Sequence, residues 1–258
     1  MQVFLIRCIF IWRLVNLVCL ATNINAPPSP ALLSFHLFIF DKIFSKSMTN
    51  FIPIFPLGLV VYPGEDLNLH IFEPRYKQLI TDCALNRKPF GIPTVLNNAV
   101  GEMGTLVQII EITEQYESGE MDIKTKGLEI FRILEIVKPL PDKLYSSAIV
   151  TYPENEIGGN SIFMGKLLLA LRQLHSLIKV EKTFKKTDEE LISYDVAHHV
   201  GLSLQGEYEL LQLMKEKQRQ EYLKQHISKI LPVISDIESL KDRIQLNGHF
   251  KNLSGFDL

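Results

Sequence analysis

Few residues in this sequence stand at spacings that could support catalysis. Ser176 and Lys179 fit an S-x-x-K spacing, in which a lysine can activate a serine nucleophile. A pattern this short is expected by chance, and no second motif of such enzymes accompanies it. We therefore expect an ordinary amphipathic helix here, and a hydrolase with an unrecognised site is kept as an alternative.

The glycine-containing segment 159–167 superficially resembles a phosphate-binding loop. Such a loop would need glycine at position 160 and a serine or threonine at position 167. Asn160 and Leu167 occupy these positions, so neither the backbone cradle nor the magnesium-binding hydroxyl is expected.

Adjacent histidines, His198 and His199, are the clearest candidate metal ligands. Neighbouring side chains on a helix point about 100° apart, so these two cannot share a metal ion in helical geometry. We expect one of them to lie beside Asp195 on the surface. Three carboxylates lie near the first predicted strands: Glu65, Asp66 and Glu73. We expect solvation or ion pairs for them instead of acid–base catalysis, and the sequence predicts no metal and no cofactor.

Composition narrows the function classes further. The chain has 258 residues, of which 47% are hydrophobic and 22% are charged, as is usual for a globular protein. Its net charge of −2 provides no basic surface, so we expect no nucleic-acid binding. The cysteines Cys8, Cys19 and Cys83 are too widely spaced to indicate a metal site or a disulfide framework.

The leader, residues 1–47, is apolar and aromatic, and three interpretations of it stay open. A signal peptide would end near Ala26 and predict an exported protein. A membrane anchor is disfavoured because Arg7 and Arg13 interrupt the apolar run. Translated upstream sequence, with the true start at Met48, fits a first strand that begins near residue 51 and predicts a cytoplasmic protein.

Residues 49–153 predict a β-rich domain. Alternating apolar residues over 67–71 indicate a half-buried strand, and Pro74 suits the first position of a helix. A turn at Gly101–Gly104 is expected to lead into a strand over Thr105–Thr113. The sequence thus predicts an α+β fold in which about six short strands and one helix form a partly closed barrel.

Residues 160–246 predict a helical subdomain, and residues 247–258 form a short tail. A capping box at Thr187 indicates a helix that continues to Val200. Pro232 is expected to kink or end a later helix, and Asn247-Gly248 to stop the last one.

These elements together resemble the N-terminal LON domain of Lon proteases, a substrate-binding domain also seen in cereblon. The most specific match is LHIFEPRY at Leu69–Tyr76, and PLGLVVYPG precedes it. The helical stretch ISYDVAHHVGLSLQGEYELLQL resembles the helical subdomain of the family, so the resemblance covers residues 52–245. One departure is Ile130, which stands where the family usually has an arginine. The resemblance implies a PUA-like barrel followed by helices.

The resemblance implies a stand-alone LON-domain protein, which lacks the ATPase and protease domains of the family. Such a protein would be non-catalytic, would bind unfolded polypeptide or a partner protein, and would be linked to protein quality control. An adaptor that docks on a full-length Lon or another protease is an alternative. The candidate peptide contacts are Tyr62, Phe72, Glu73, Arg75, Tyr76 and Phe90. The oligomeric state stays open, and membrane contact is expected only through a genuine leader.

Overall fold

The computed structural model describes the backbone of residues 50–251 and the side chains of residues 50–245, so the interpretations of the leader lie outside it. The strands are β1 (Asn50–Pro53), β2 (Asp66–Ile71), β3 (Phe90–Leu96), β4 (Ala99–Gln115), β5 (Met121–Val137) and β6 (Ser147–Thr151). The helices are α1 (Pro74–Asn86), α2 (Ser161–Leu177), α3 (Ser193–Val196), α4 (Leu204–Leu211) and α5 (Glu216–Lys251). A 3₁₀ turn, Ala197–His199, follows α3 directly.

All six strands form one antiparallel sheet in the order β1-β6-β5-β4-β3, and β2 pairs with the first half of β5. The ladder itself is open. Two isolated parallel bridges, Ile54 to Gly91 and Leu57 to Thr94, connect the segment after β1 to β3. The Val95 N–H donates to the Leu57 carbonyl at 2.7 Å. The sheet therefore curls into a partly closed barrel, which confirms the predicted fold class.

Helix α1 closes one side of this barrel. Pro74 occupies the start of the helix, where its missing N–H leaves no hydrogen bond unmade. The apolar face of α1 buries Tyr76, Leu79, Ile80 and Cys83, the same four residues that the periodicity predicts. They pack on a cluster that includes residues of β2, β3 and β5.

The turn before β4 lies elsewhere than the sequence predicts. Asn97 and Asn98 make it, with φ angles of 50° and 64°, and Gly101–Gly104 lies within β4. The prediction of a turn at these glycines is wrong because they lie in a strand where neighbouring atoms leave no room for a side chain. A side chain on Gly104 would overlap the Ile92 carbonyl, and one on Gly101 would meet the Tyr208 ring.

The helical part differs from the prediction at Thr187. Its N–H does bond to the Glu190 carboxylate at 3.1 Å, but only one turn forms there and the helix begins at Ser193. The backbone of Ile192 is extended, with φ −117° and ψ 171°, so the predicted helix cannot run through it. The predicted helix to Val200 is therefore wrong over its first half.

Helix α5 is longer than the sequence predicts. It continues through Pro232 and through Asn247-Gly248 to Lys251. Pro232 is an exposed residue of the helix. The helix therefore loses one backbone hydrogen bond there without ending.

The barrel and the helices share one hydrophobic core. Val60, Tyr62, Met103 and Ile130 of the barrel pack in the same cluster as residues of α2 to α5. Ile130 is 1% exposed, so an apolar side chain suits this position, where the family usually has an arginine.

Arg219 is the most highly connected side chain at the junction with the helices, and it is fully buried. It forms an ion pair with the equally buried Glu216 at 2.9 Å. Its guanidinium also donates to Asn155 Oδ1 and to the backbone carbonyls of Glu156 and Leu213. Five N–H donors in one plane let a single side chain fasten α5 to the segment that leaves β6 and to the loop after α4.

An aromatic stack continues from Arg219 toward the barrel. The guanidinium lies 4.1 Å from the centre of the Tyr194 ring, and Tyr194 stacks on Tyr62 at 5.2 Å. The ring of His198 lies 4.8 Å from Tyr62 on the barrel side. Stacked side chains therefore connect the buried ion pair of the helices to the first β-turn of the barrel.

Replacing Gly127 with alanine should destabilise the fold. A Cβ at this position would overlap the Tyr62 carbonyl, and two backbone hydrogen bonds hold the strands together there. We expect a loss of about 1–3 kcal/mol in the free energy of unfolding, measured by urea denaturation. Gly165→Ala is the control, because an added Cβ there meets nothing within 4 Å and removes a helix-interior glycine. It should gain about 0.5–1 kcal/mol, and equal losses in both variants would contradict the argument.

Arg219→Met should unfold far more easily than a matched surface variant. It leaves the Glu216 carboxylate buried without its charged partner, which costs about 3–5 kcal/mol in comparable sites. Arg172→Met removes an ion pair in which Nη2 donates to both carboxylate oxygens of Asp188; both side chains are about half exposed, so the loss should be less than about 1 kcal/mol. Unfolding of both variants by guanidinium chloride measures the two losses. A similar shift of the unfolding midpoint in both would refute the role of burial.

Candidate functional site

The outer half of β4 is a free sheet edge. Strand β3 pairs with β4 only as far as Val107, opposite Phe90. Residues 108–115 pair with β5 on one side and with no strand of residues 50–251 on the other. We call residues 108–115 the free edge. Its outward N–H and carbonyl groups can form a further ladder with an extended chain.

The free edge carries two exposed apolar side chains among polar ones such as Glu111 and Glu114. Ile110 is 61% exposed and Ile112 is 39% exposed, and both come from a β-branched stretch suited to strand pairing. Register shifts on the β5 side interrupt the ladder near Ile110 and Thr113. Such bulges bend and twist an edge, so an added strand would pair over a short segment.

The free edge overlaps at Glu114 with a patch that we call the acidic aromatic patch, which spans the ends of three strands. Its members are His70, Phe72, Glu114, Tyr116 and Asp122. His70 Nδ1 lies 2.7 Å from Asp122 Oδ1, and the Tyr116 hydroxyl donates to Asp122 Oδ2 at 2.8 Å. The ring of Phe72 is 59% exposed and stacks 6.2 Å from His70.

Hydrogen bonds fix the charge of this patch. The bonds from His70 and Tyr116 hold the pKa of Asp122 below its usual range. The same bond to Asp122, with desolvation and a weaker bond to Glu114, raises the pKa of Tyr116 to about 12. Near neutral pH the patch therefore presents an ionised carboxylate and a neutral phenol beside an apolar ring. This chemistry suits a segment that carries basic and apolar side chains.

The six predicted contacts divide into two groups. Phe72, Glu73 and Arg75 are accessible, and Arg75 Nη2 forms an ion pair with Glu73 Oε2 at 2.7 Å. The exposed fractions of the other three are 1% for Tyr62, 7% for Tyr76 and 0% for Phe90. These three are core residues that cannot touch a peptide in this conformation, and the correction follows from their packing in the apolar clusters. A peptide contact at Phe72, Glu73 or Arg75 stays a prediction.

Sequence reasoning did not single out the free edge or the patch partners His70 and Tyr116. The edge follows from strand lengths that only the structure gives. Strand β4 has 17 residues and β3 has seven, so β3 cannot cover the whole of β4. The contact of Tyr116 with His70 joins residues far apart in the chain and has no local signature.

His198 fastens the barrel to the helices, and its partners are two carboxylates other than Asp195, beside which one of the two histidines was expected to lie. Its Nδ1 lies 2.7 Å from Glu207 of α4, and its Nε2 lies 3.2 Å from Glu65 before β2. Asp195 instead binds Lys186. Burial lowers the pKa of His198, but hydrogen bonds to Glu207 and Glu65 outweigh it and raise the pKa to about 9. A charged imidazole thus bridges two carboxylates from different parts of the fold.

The remaining catalytic candidates have structural surroundings. Lys179 Nζ lies 2.9 Å from Glu238, and this hydrogen bond raises the pKa of Lys179, whereas a catalytic base needs a lowered one. Asn160 caps α2 by accepting from the Phe163 N–H at 3.0 Å. Among the described residues no group of three metal-ligating side chains comes together. Nor does any helix within residues 50–251 have the length and apolar character needed to cross a membrane.

His198→Gln should remove a pH-dependent part of the stability. The pKa in the folded state is about 9 and the ordinary value is 6.5, so the stabilisation is complete below about pH 6.5 and is lost as the pH rises through 9. The titratable groups that face His198 are Glu65, Glu207 and the phenol of Tyr62. Burial raises the pKa of Tyr62 above its usual value, so Tyr62 stays neutral between pH 6 and pH 10. Wild type should exceed the variant by about 1–3 kcal/mol at pH 6, and by less at pH 10, in urea titrations. A difference that does not change with pH would contradict the charged bridge.

The structure is similar to the crystal structure of a Lon N-terminal domain protein from Xanthomonas campestris, with a TM-score of 0.50 and 22% identity, covering 67% of this chain and 96% of that one. It also aligns with the N-terminal domain of the Mycobacterium avium complex Lon protease, with a TM-score of 0.48 and 14% identity, covering 69% and 98%.

The family itself is shown by the sequence. The model of the ATP-dependent protease La (LON) substrate-binding domain matches residues 52–236, and the chain belongs to this family. No protein in the curated set matches the sequence. The matched range contains the barrel, α1 to α4 and the first part of α5, which confirms the resemblance inferred from the motifs.

Proposed function

We propose that this protein binds extended segments of unfolded polypeptide and does not cleave them. The observation that carries the proposal is the free edge, residues 108–115, which offers unpaired main-chain groups flanked by exposed Ile110 and Ile112. Membership of a family described as substrate-binding supports it.

Strand addition explains how one site could accept many sequences. Hydrogen bonds to the edge involve only the main chain of the client, so they are available to almost any extended segment. Side-chain preference would come from the acidic aromatic patch, where Phe72 offers an exposed ring and Asp122 a carboxylate. Clients with basic and apolar residues should bind most tightly.

A binding role without catalysis agrees with the chemistry of the patch. His70 and Asp122 form a pair of the kind found in hydrolases, but the third group bonded to Asp122 is the Tyr116 phenol. Its pKa of about 12 makes it a poor nucleophile near neutral pH. A protein that holds unfolded chains without cutting them would act in protein quality control by delivering clients or by delaying their aggregation.

Ile110→Lys combined with Ile112→Lys should weaken client binding. Lysine on an edge strand opposes the addition of a further strand, and both positions are exposed, so folding should be unaffected. The measurement is fluorescence anisotropy with labelled, reduced and alkylated lysozyme as an unfolded basic probe. We expect the affinity to fall at least about tenfold, equivalent to 1.4 kcal/mol.

Leu134→Lys is the matched control, because Leu134 is a 55% exposed apolar residue on β5 and not on the free edge. It should bind the probe like wild type. Casein, an acidic unfolded probe, should bind more weakly than alkylated lysozyme. Equal losses in the edge variant and in Leu134→Lys, or no binding by wild type, would overturn the proposal.

A further inference from the structure

The second half of α5 carries an exposed apolar stripe. Its members, which we call the α5 stripe, are Val233, Ile237, Leu240 and Ile244. Their exposed fractions are 56%, 47%, 56% and 62%. They recur at intervals of four, three and four residues, which places them on one face of the helix.

No other element of the chain covers the α5 stripe within residues 50–245. Earlier in the helix, Leu223 and Ile227 are buried in the core, whereas none of the four stripe residues belongs to a hydrophobic cluster. Helix α2 packs on a different side, where Lys179 just beyond its end forms an ion pair with Glu238. Four large aliphatic side chains in water on one helix face indicate a partner surface.

Heptad spacing along the stripe is typical of a coiled-coil seam, and a second copy of this chain would supply a matching helix. If the heptad positions are labelled a to g, isoleucines 230, 237 and 244 occupy a, and Val233 and Leu240 occupy d. In parallel coiled coils, isoleucine at a with leucine at d favours two strands, and here valine occupies one d position and leucine the other. Pro232 falls at c, on the side away from the seam, so it does not interfere with packing.

Charges beside the stripe complement each other in the same arrangement. Asp236 occupies a g position and Lys241 the following e position. In a parallel, in-register pair, the g residue of one helix faces the next e residue of the other. Asp236 of each copy would therefore face Lys241 of its partner, which gives two attractive contacts per dimer. Among the described ion pairs, Lys241 forms one, with Glu238 of the same helix at 3.1 Å.

We propose that α5 is the dimerisation element of this protein, which pairs with α5 of a second copy in parallel through the α5 stripe. The seam from residue 230 to residue 244 covers two heptads, roughly 21 Å of helix. An interface this short buries little area, so we expect a dissociation constant on the order of 10 µM. This inference is independent of client binding at the free edge.

Sedimentation velocity on the full chain over a wide concentration range tests the dimer. Wild type should shift from monomer to dimer mass as the concentration rises. Ile237→Asp combined with Leu240→Asp should weaken association at least about tenfold. Leu169→Asp is the control, since Leu169 is a 67% exposed leucine on α2, and this variant should associate like wild type.

The parallel register has its own test. Asp236→Lys should weaken the dimer, because it places two lysines opposite each other, and adding Lys241→Asp should restore it. Circular dichroism checks that each variant keeps its helix content. A wild type that stays monomeric at every concentration, an equal loss in Leu169→Asp, assembly beyond two copies, or a failed charge rescue would each overturn the proposal. Binding of alkylated lysozyme by the stripe variants should equal that of wild type.

Discussion

Burying the guanidinium of Arg219 is the constraint on which the helical part of this protein depends. A charge removed from water is tolerated only if its donors are matched, and here Glu216, Ser193, Asn155 and two backbone carbonyls accept from it. These acceptors come from segments far apart in sequence. Each must be in place for the others to be stable, so the ion pair determines the paths of several loops at once. Its stacking on Tyr194 extends this order toward the barrel.

Two kinds of contact join the barrel to the helices, and they respond differently to conditions. Apolar contacts such as those of Met103 and Ile130 are insensitive to charge. The bridge of His198 between Glu65 and Glu207 depends on one proton. The site that we assign to clients lies on the other part of the sheet, at the outer half of β4. The contacts that hold the helices and the free edge that we propose for clients therefore occupy different surfaces of one barrel.

The parts of the fold that sequence could predict are those set by local patterns. Alternation over β2 and Pro74 before an apolar helix face specify their own geometry, and the motif LHIFEPRY carries both. Predictions failed where a residue distant in sequence determines the local structure. Thr187 makes its capping bond, yet Ser193 starts the helix because its N–H and hydroxyl bind the buried Glu216. Burial of Tyr62 likewise follows from Tyr194 and His198, which no local pattern places beside it.

The shared core has a consequence for modularity. The change from strands to helices near residue 155 is a boundary of secondary structure, but Val60, Tyr62, Met103 and Ile130 remain buried only while the helices cover them. Neither part can then melt by itself without exposing apolar surface of the other, so the barrel and the helices that cover it should unfold together. A barrel of this type could not be exchanged between proteins without its helices, which explains in physical terms why one family model extends across both.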